Sequence, residues 1–96
     1  MTKDEIIEEI VNKTSIKKDA VEACVEGIMQ TIKSSMSQGE NVYLRGFGTF
    51  LLKTRAKKIG RNISKGTAVT IPAHVIPAFK PGKEFIKDIK KHVKVK

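Results

Sequence analysis

Nine basic residues stand between Glu40 and Glu84 without one acid among them: Arg45, Lys53, Arg55, Lys57, Lys58, Arg61, Lys65, Lys80 and Lys83. The rest of the chain sharpens this asymmetry. Residues 1–44 hold five lysines against eight acids, a net of −3, whereas residues 45–96 hold fourteen bases against Glu84 and Asp88, a net of +12. Like charges without counter-charges repel one another unless a polyanion supplies the missing sign. A short run of this kind is ordinarily a solvated face, but here it covers almost half of a 96-residue chain of net charge +9. The chemistry on offer is the binding of a polyanion, and nucleic acid is the commonest one inside cells.

No constellation for catalysis accompanies these cations. Cys24 lies on an apolar helical stripe with no base beside it in sequence, the setting of a small core residue rather than a nucleophile. His74 and His92 have no carboxylate or hydroxyl at a supporting spacing and are expected to be surface or satisfied polar residues. Gly46-Phe47-Gly48 lacks the third glycine and the following helix of a dinucleotide fingerprint, which leaves a tight turn. One cysteine makes no internal disulfide, and with two histidines it makes no structural zinc site. The sequence therefore points away from an enzyme, a metal, a cofactor or a small-molecule substrate. No apolar run exceeds the length of Phe50-Leu51-Leu52, so no membrane span is expected. The start Met1-Thr2-Lys3-Asp4-Glu5 is acidic where a signal peptide is basic and then apolar, and a cytoplasmic location is expected.

The elements that must position the cations follow from periodicity. Thr2-Lys3-Asp4-Glu5 matches a capping box, and Ile6, Ile7, Ile10 and Val11 recur at helical spacing, which predicts a first helix ending near Lys13. Thr14-Ser15 is expected to turn the chain and cap a longer second helix. Its stripe is Ala20, Val21, Cys24, Val25, Ile28, Met29, Ile32 and Met36, closed by Gly39. Val42-Tyr43-Leu44 is a short strand, and residues 49 to about 58 form another, in which alternation sends Lys53, Arg55 and Lys57 to one face. Residues 60–66, with a glycine at each end, form a loop by composition. The β-branched stretch Thr67-Ala68-Val69-Thr70-Ile71 returns antiparallel, and Pro72 and Pro77 break it and confine it to an edge. Phe79-Lys80-Pro81-Gly82-Lys83 opens a last helix whose apolar face is Phe85, Ile86, Ile89 and Val93, with a lysine-rich end suited to its negative pole.

Two consequences bear on function. The legs within residues 53–72 carry too few large apolar side chains to bury a face, so this hairpin should project from the body. Legs of roughly ten residues at about 3.3 Å each reach about 30 Å, enough to pass partly around a duplex. Residues 51–78 contain no aromatic, whereas stacking platforms interleave aromatics with cations. Phe47, Phe50 and Phe79 are accordingly expected to anchor the base of the hairpin. The body that remains supplies at most a few kcal/mol on its own. The second helix is also too broadly apolar for the first to cover, so dimerisation through the helices is expected.

The strings Arg45-Gly46-Phe47-Gly48-Thr49-Phe50, Gly60-Arg61-Asn62, Ile71-Pro72-Ala73 and Pro77-Ala78-Phe79-Lys80-Pro81-Gly82-Lys83, in this order, resemble the HU and integration-host-factor family of bacterial DNA-bending proteins. The resemblance extends over essentially the whole chain. It implies an α+β fold of two N-terminal helices, a three-stranded antiparallel sheet with an extended β-ribbon arm, and a short C-terminal helix, assembled as an intertwined dimer. It further implies one domain over residues 1–96. Within it, residues 1–39 are a helical dimerisation part, 40–80 a β-saddle with its arm at about 53–72, and 81–96 the C-terminal helix and basic tail.

By the same resemblance, Arg55, Lys57, Lys58 and Arg61 lie along the arm against phosphates and the minor groove, and Asn62 helps form its tip; Lys53 and Lys65, cations of the same stretch, are also expected to bind DNA. Lys80, Pro81, Gly82 and Lys83 meet the DNA backbone below the saddle, in keeping with the affinity of helix N-termini for phosphate. Position 63 departs from the family pattern: Ile63 stands where a wedging proline is common, and isoleucine is among the side chains that unstack base steps. The implied function is a non-enzymatic, nucleoid-associated protein that binds double-stranded DNA with low sequence specificity and bends and compacts it. The implied assembly is a homodimer or a heterodimer with a paralogue. Three other readings remain at this level: a site-specific bender like integration host factor, an RNA-binding or ribosome-associated basic protein, and a module whose arm pairs with an acidic protein.

Overall fold

The computed structural model describes residues 1–62 and 67–95. The element order is α1 (Lys3–Thr14), α2 (Lys18–Ser37), β1 (Val42–Leu44), β2 (Gly48–Arg55), β3 (Lys58–Asn62), β4 (Thr67–Ile71), β5 (His74–Pro81) and α3 (Lys83–His92). The chain divides into two units, Met1–Ser35 and Met36–Lys96.

The first unit is a helical hairpin. Thr2 caps α1 as its residue type predicts: its Oγ1 accepts from the Glu5 backbone N–H at 3.3 Å and donates to the Glu5 carboxylate. Ser15, in the left-handed region at φ 60°, closes α1 with its N–H on the Val11 carbonyl. Thr14 Oγ1 donates to the Ile10 carbonyl at 2.7 Å and accepts from the Ile16 N–H at 3.2 Å. Thr14 and Ser15 therefore finish the first helix and do not start the second, which begins only at Lys18. Lys3 pairs with Glu26, and Lys18 with Glu8 at 3.1 Å. These two bridges run in opposite chain order, so the helices are antiparallel.

Ile7 and Val21 are buried, at 1% and 4% exposure, and Met36 is the third buried apolar side chain among the described residues. Most of the α2 stripe is not covered: Ile28 and Met29 are exposed, and so is Cys24, which the sequence expected in a core. The helical spacing of the stripe is right, but among the described residues only Val21 and Met36 of it are buried.

The second unit is built on an antiparallel sheet of order β1-β2-β5. Gly39, at φ +89°, ends α2 with its N–H on the Met36 carbonyl, and Gly46, at φ +82°, turns β1 into β2. Gly48 is required for another reason. A Cβ there would stand 2.6 Å from the Lys80 carbonyl oxygen and 2.6 Å from the Phe79 ring. That close approach lets β2 and β5 pair from Gly48↔Pro81 to Arg55↔His74. The Asn41 side chain lengthens the short β1 edge by accepting the Leu52 N–H at 3.1 Å. All four phenylalanines of the chain meet at this root, with ring centroids 4.9 Å apart for Phe50–Phe79 and 5.3 Å for both Phe47–Phe79 and Phe47–Phe85. This is the anchoring role expected of the first three.

The ribbon differs from the sequence expectation. β2 does not run on to Lys58: it stops at Arg55 opposite His74, and a separate two-stranded ladder starts at Lys58 opposite Ile71. Ala56-Lys57 on one leg and Pro72-Ala73 on the other stand outside both ladders. Pro72 has no N–H to donate, so the residues facing it lose their partner. Pro77, by contrast, stays within β5 opposite Leu52, because β5 is an edge strand with an outer side that needs no donor. Residues 60–62, expected in a loop, belong to β3, where Asn62 pairs with Thr67. Lys80 and Pro81 end β5 and do not open the last helix, and Gly82 is the N-cap of α3. Val93 caps α3 at its other end, outside the helix, with its N–H on the Ile89 carbonyl.

Candidate nucleic-acid interface

The pleat sorts the sheet into two faces. Residues directly opposite in antiparallel strands point the same way, and neighbours along a strand point oppositely. Phe50, Leu52 and Thr54 of β2 therefore share a face with Phe79, Pro77 and Val75 of β5, and the Phe50–Phe79 ring contact lies on it. The other face carries Thr49, Leu51, Lys53 and Arg55 against Lys80, Ala78, Ile76 and His74, with Tyr43 of β1 beside Thr49. One side of the sheet thus packs phenylalanine while the other displays Lys53, Arg55 and Lys80, all three exposed.

Lys53 and Arg55 are on the cationic face at the root of the ribbon. Lys57, expected beside them, falls in the break between β2 and β3, where no strand alternation orients it. Lys58 opens β3 and is exposed; the backbones of Arg61 and Asn62 follow in the same strand, opposite Ala68 and Thr67. Ile63 and Lys65 lie outside the described residues. Lys80, Pro81, Gly82 and Lys83 form one continuous corner from the end of β5 into α3. Gly82 donates its N–H to the Phe47 carbonyl at 2.8 Å, which ties this corner to the β1–β2 turn. Having no side chain, Gly82 leaves the first turn of α3 without a side-chain cap. Backbone N–H groups left open in this way suit an anion.

Among the described residues, Lys53, Arg55, Lys57, Lys58, Lys80 and Lys83 have no carboxylate partner. The helical unit behaves in the opposite way. Hydrogen bonding to Glu26, reinforced by its charge, raises the Lys3 ammonium above its ordinary value of 10.5, and Glu8 does the same for Lys18. One cation was missing from the expected set. Arg45 is exposed in the β1–β2 turn and lines a shallow hollow of about 330 Å³ with Tyr43, Leu44, Gly46, Gly48, Thr49 and Gly82. It opens the Arg-Gly-Phe-Gly string, and the signal passed over was its place next to a turn that folds back on the α3 corner. Among the described residues, no group of histidine, cysteine or carboxylate side chains could hold a metal ion, and no helix is long and apolar enough to cross a membrane.

A helical hairpin joined to an antiparallel sheet, with cations on one sheet face and along a ribbon, defines a nucleic-acid-binding α+β domain. The particular family is settled by comparison: the chain belongs to the bacterial DNA-binding protein family, whose model matches residues 1–90. It is 40% identical over 95 residues to integration host factor subunit beta from Marinobacter nauticus, covering 98% of this chain and 97% of that one. The same subunit from Hahella chejuensis is 42% identical over 97 residues, with the same coverage. Among solved structures, the HU protein of an Anabaena HU–DNA cocrystal superposes with a TM-score of 0.89 at 33% identity, covering 94% of this chain and 98% of that chain.

Proposed function

We propose that this chain binds double-stranded DNA as a dimer, through the minor groove and with low sequence specificity, and that it bends and compacts the duplex as a nucleoid-associated protein. The observation that carries the reading is the set of exposed, unpartnered cations on one sheet face and along the ribbon of a member of a DNA-binding family. Lysine and arginine displace the counterions condensed on the phosphates, which supplies affinity without reading bases. Lys53, Arg55, Lys57, Lys58, Arg61 and Lys65 serve the arm, and Asn62 its tip. Lys80, Pro81, Gly82 and Lys83, with Arg45 beside them, take the backbone at the foot of the sheet. Minor-groove architectural proteins, this family among them, offset part of the bending cost with apolar wedges, and Ile63 takes that role here.

Dimerisation follows from what the chain leaves uncovered. Ile28 and Met29 on α2, and Ile86 and Ile89 on α3, are exposed apolar side chains on helices that a second copy would close. A second reading, a heterodimer with a paralogue acting at preferred sites, is favoured by the naming of the curated relatives as subunit beta. Mass measurement of the purified chain, and competition by random DNA, separate the two.

Gel-shift titration of intact against nicked or gapped duplex tests the main reading, because an interrupted duplex lowers the cost of bending. Tighter binding to the interrupted duplex is expected; equal weak binding to both would contradict it. Ile63→Ala should reduce the bend in a ring-closure assay while leaving most of the affinity, and an unchanged bend would remove Ile63 from the mechanism.

A further inference from the structure

We propose that a stripe of lysines along α3 is a second phosphate-binding track, which takes up the duplex flanking the bend. The inference rests on the DNA-binding reading above and extends it from the sheet and ribbon to a helix. Of the residues concerned, only Lys83 belongs to the corner already described.

The helix sorts its side chains by type. Lys83, Lys87, Lys90 and Lys91 stand at i, i+4, i+7 and i+8, and at 3.6 residues per turn they share an arc of roughly 100°. Phe85, Ile86 and Ile89 share another arc, centred roughly 140° from the first. All four lysines are exposed. A second copy that closed over Ile86 and Ile89 would therefore leave the lysine stripe facing outward.

Pairing and the helix dipole do not account for the stripe. Among the described residues, none of the four lysines has a carboxylate partner. Glu84 stands three residues before Lys87, and Asp88 three before Lys91, a spacing at which helical neighbours can meet. In α1 the comparable pair of Glu9 and Lys13 does form, at 3.5 Å. Lys90 and Lys91 sit in the last turn of α3, where the dipole favours a cation. Lys83 sits at the opposite end, where the dipole disfavours one, so the dipole explains only half of the set.

The length of the stripe suits a strand of phosphates. From Lys83 to Lys91 the helix rises about 12 Å at 1.5 Å per residue. One strand of B-DNA carries a phosphate about every 3.4 Å along the axis, so this length spans about three or four. Lys83 opens the stripe and also lies in the corner that takes the backbone at the foot of the sheet. That continuity favours the flank of the same duplex over a second one.

The full chain is titrated onto duplexes that share one central gap and differ only in their flanks, about half a helical turn or about two turns long on each side. Wild-type affinity should rise by about tenfold with the longer flanks, and the log–log salt slope should steepen by about 0.9 for each added phosphate. Lys87→Gln, Lys90→Gln and Lys91→Gln combined should lose most of that gain and bind the short-flanked duplex within about twofold of wild type. Arginine at the same three positions should keep the gain. Glutamine and arginine match lysine in helix propensity, so α3 is retained in both variants. A flank gain kept in full by the glutamine variant, or an equal loss on both duplexes, overturns the track. So does energy transfer between two separately labelled duplexes that disappears in the glutamine variant, because it assigns the stripe to a second duplex. Equal binding of the two duplexes by the wild type removes the track and leaves DNA binding standing. Binding of neither overturns the underlying reading as well.

Discussion

The two units of this chain use the same residue types to opposite ends. In the helical unit, Lys3, Lys13 and Lys18 are paired with Glu26, Glu9 and Glu8. In the β unit, Lys53, Arg55, Lys57, Lys58, Lys80 and Lys83 have no carboxylate partner among the described residues. Lysine in the first case links two helices (Lys3, Lys18) or braces one (Lys13); in the second it is held out for a partner. Charge alone does not distinguish a stabilising residue from a binding one, and the company it keeps does. A protein that paired its arm cations internally would have to break those pairs before taking up phosphate.

The comparison is broken most severely by putting acids on the cationic face of the sheet. Lys53→Glu combined with Arg55→Glu should lower DNA affinity by about a hundredfold and make the log–log salt slope shallower by roughly 1.8, with thermal stability nearly unchanged. Fluorescence anisotropy beside calorimetry checks both, and a stability loss with affinity retained would reverse the assignment of the two units. Next in size is the root that holds the ribbon. Phe79 touches the rings of Phe47, Phe50 and Phe85, and Phe79→Ala should cost about 2 kcal/mol of unfolding free energy, less than for a fully buried ring because Phe79 is 39% exposed. Denaturant titration measures it, and a neutral result would show that the cluster does not anchor the ribbon.

The smallest effect belongs to the helical pairs. Lys3 is raised above 10.5 by its hydrogen bond with Glu26. A base whose folded value is raised contributes stability that is fully present below its ordinary value and is lost as the pH climbs through the folded one. Glu26→Gln should therefore lower the melting temperature slightly at neutral pH, and the difference from wild type should fade as the pH climbs through the raised Lys3 value. A deficit that persists in alkali would assign the effect to packing.

Much of this was legible in the residues. Thr2 announced the start of α1, Gly39 the end of α2, and Gly46 the turn into β2, because each is a local conformational demand that one residue type meets. The charge asymmetry about Glu40 was legible for the same reason: it needs no fold to be seen. What escaped depends on a partner strand. Residues 56 and 57 continue the alternation of β2 without fault, and they leave the ladder because Pro72, far along the chain, cannot donate to it. Residues 60–62 look like loop until Thr67, Ala68 and Val69 arrive to pair with them. Cys24 looked like core because its stripe is real, yet its side chain is exposed.

The central claim is that the unpaired cations of the β unit are held for the phosphates of duplex DNA. The most direct test is the affinity of the wild-type chain for a random-sequence duplex across a salt series. A straight log–log line that falls steeply is expected, by about 0.9 for each phosphate neutralised, so that several contacts give a slope of several units. A slope near zero would contradict it.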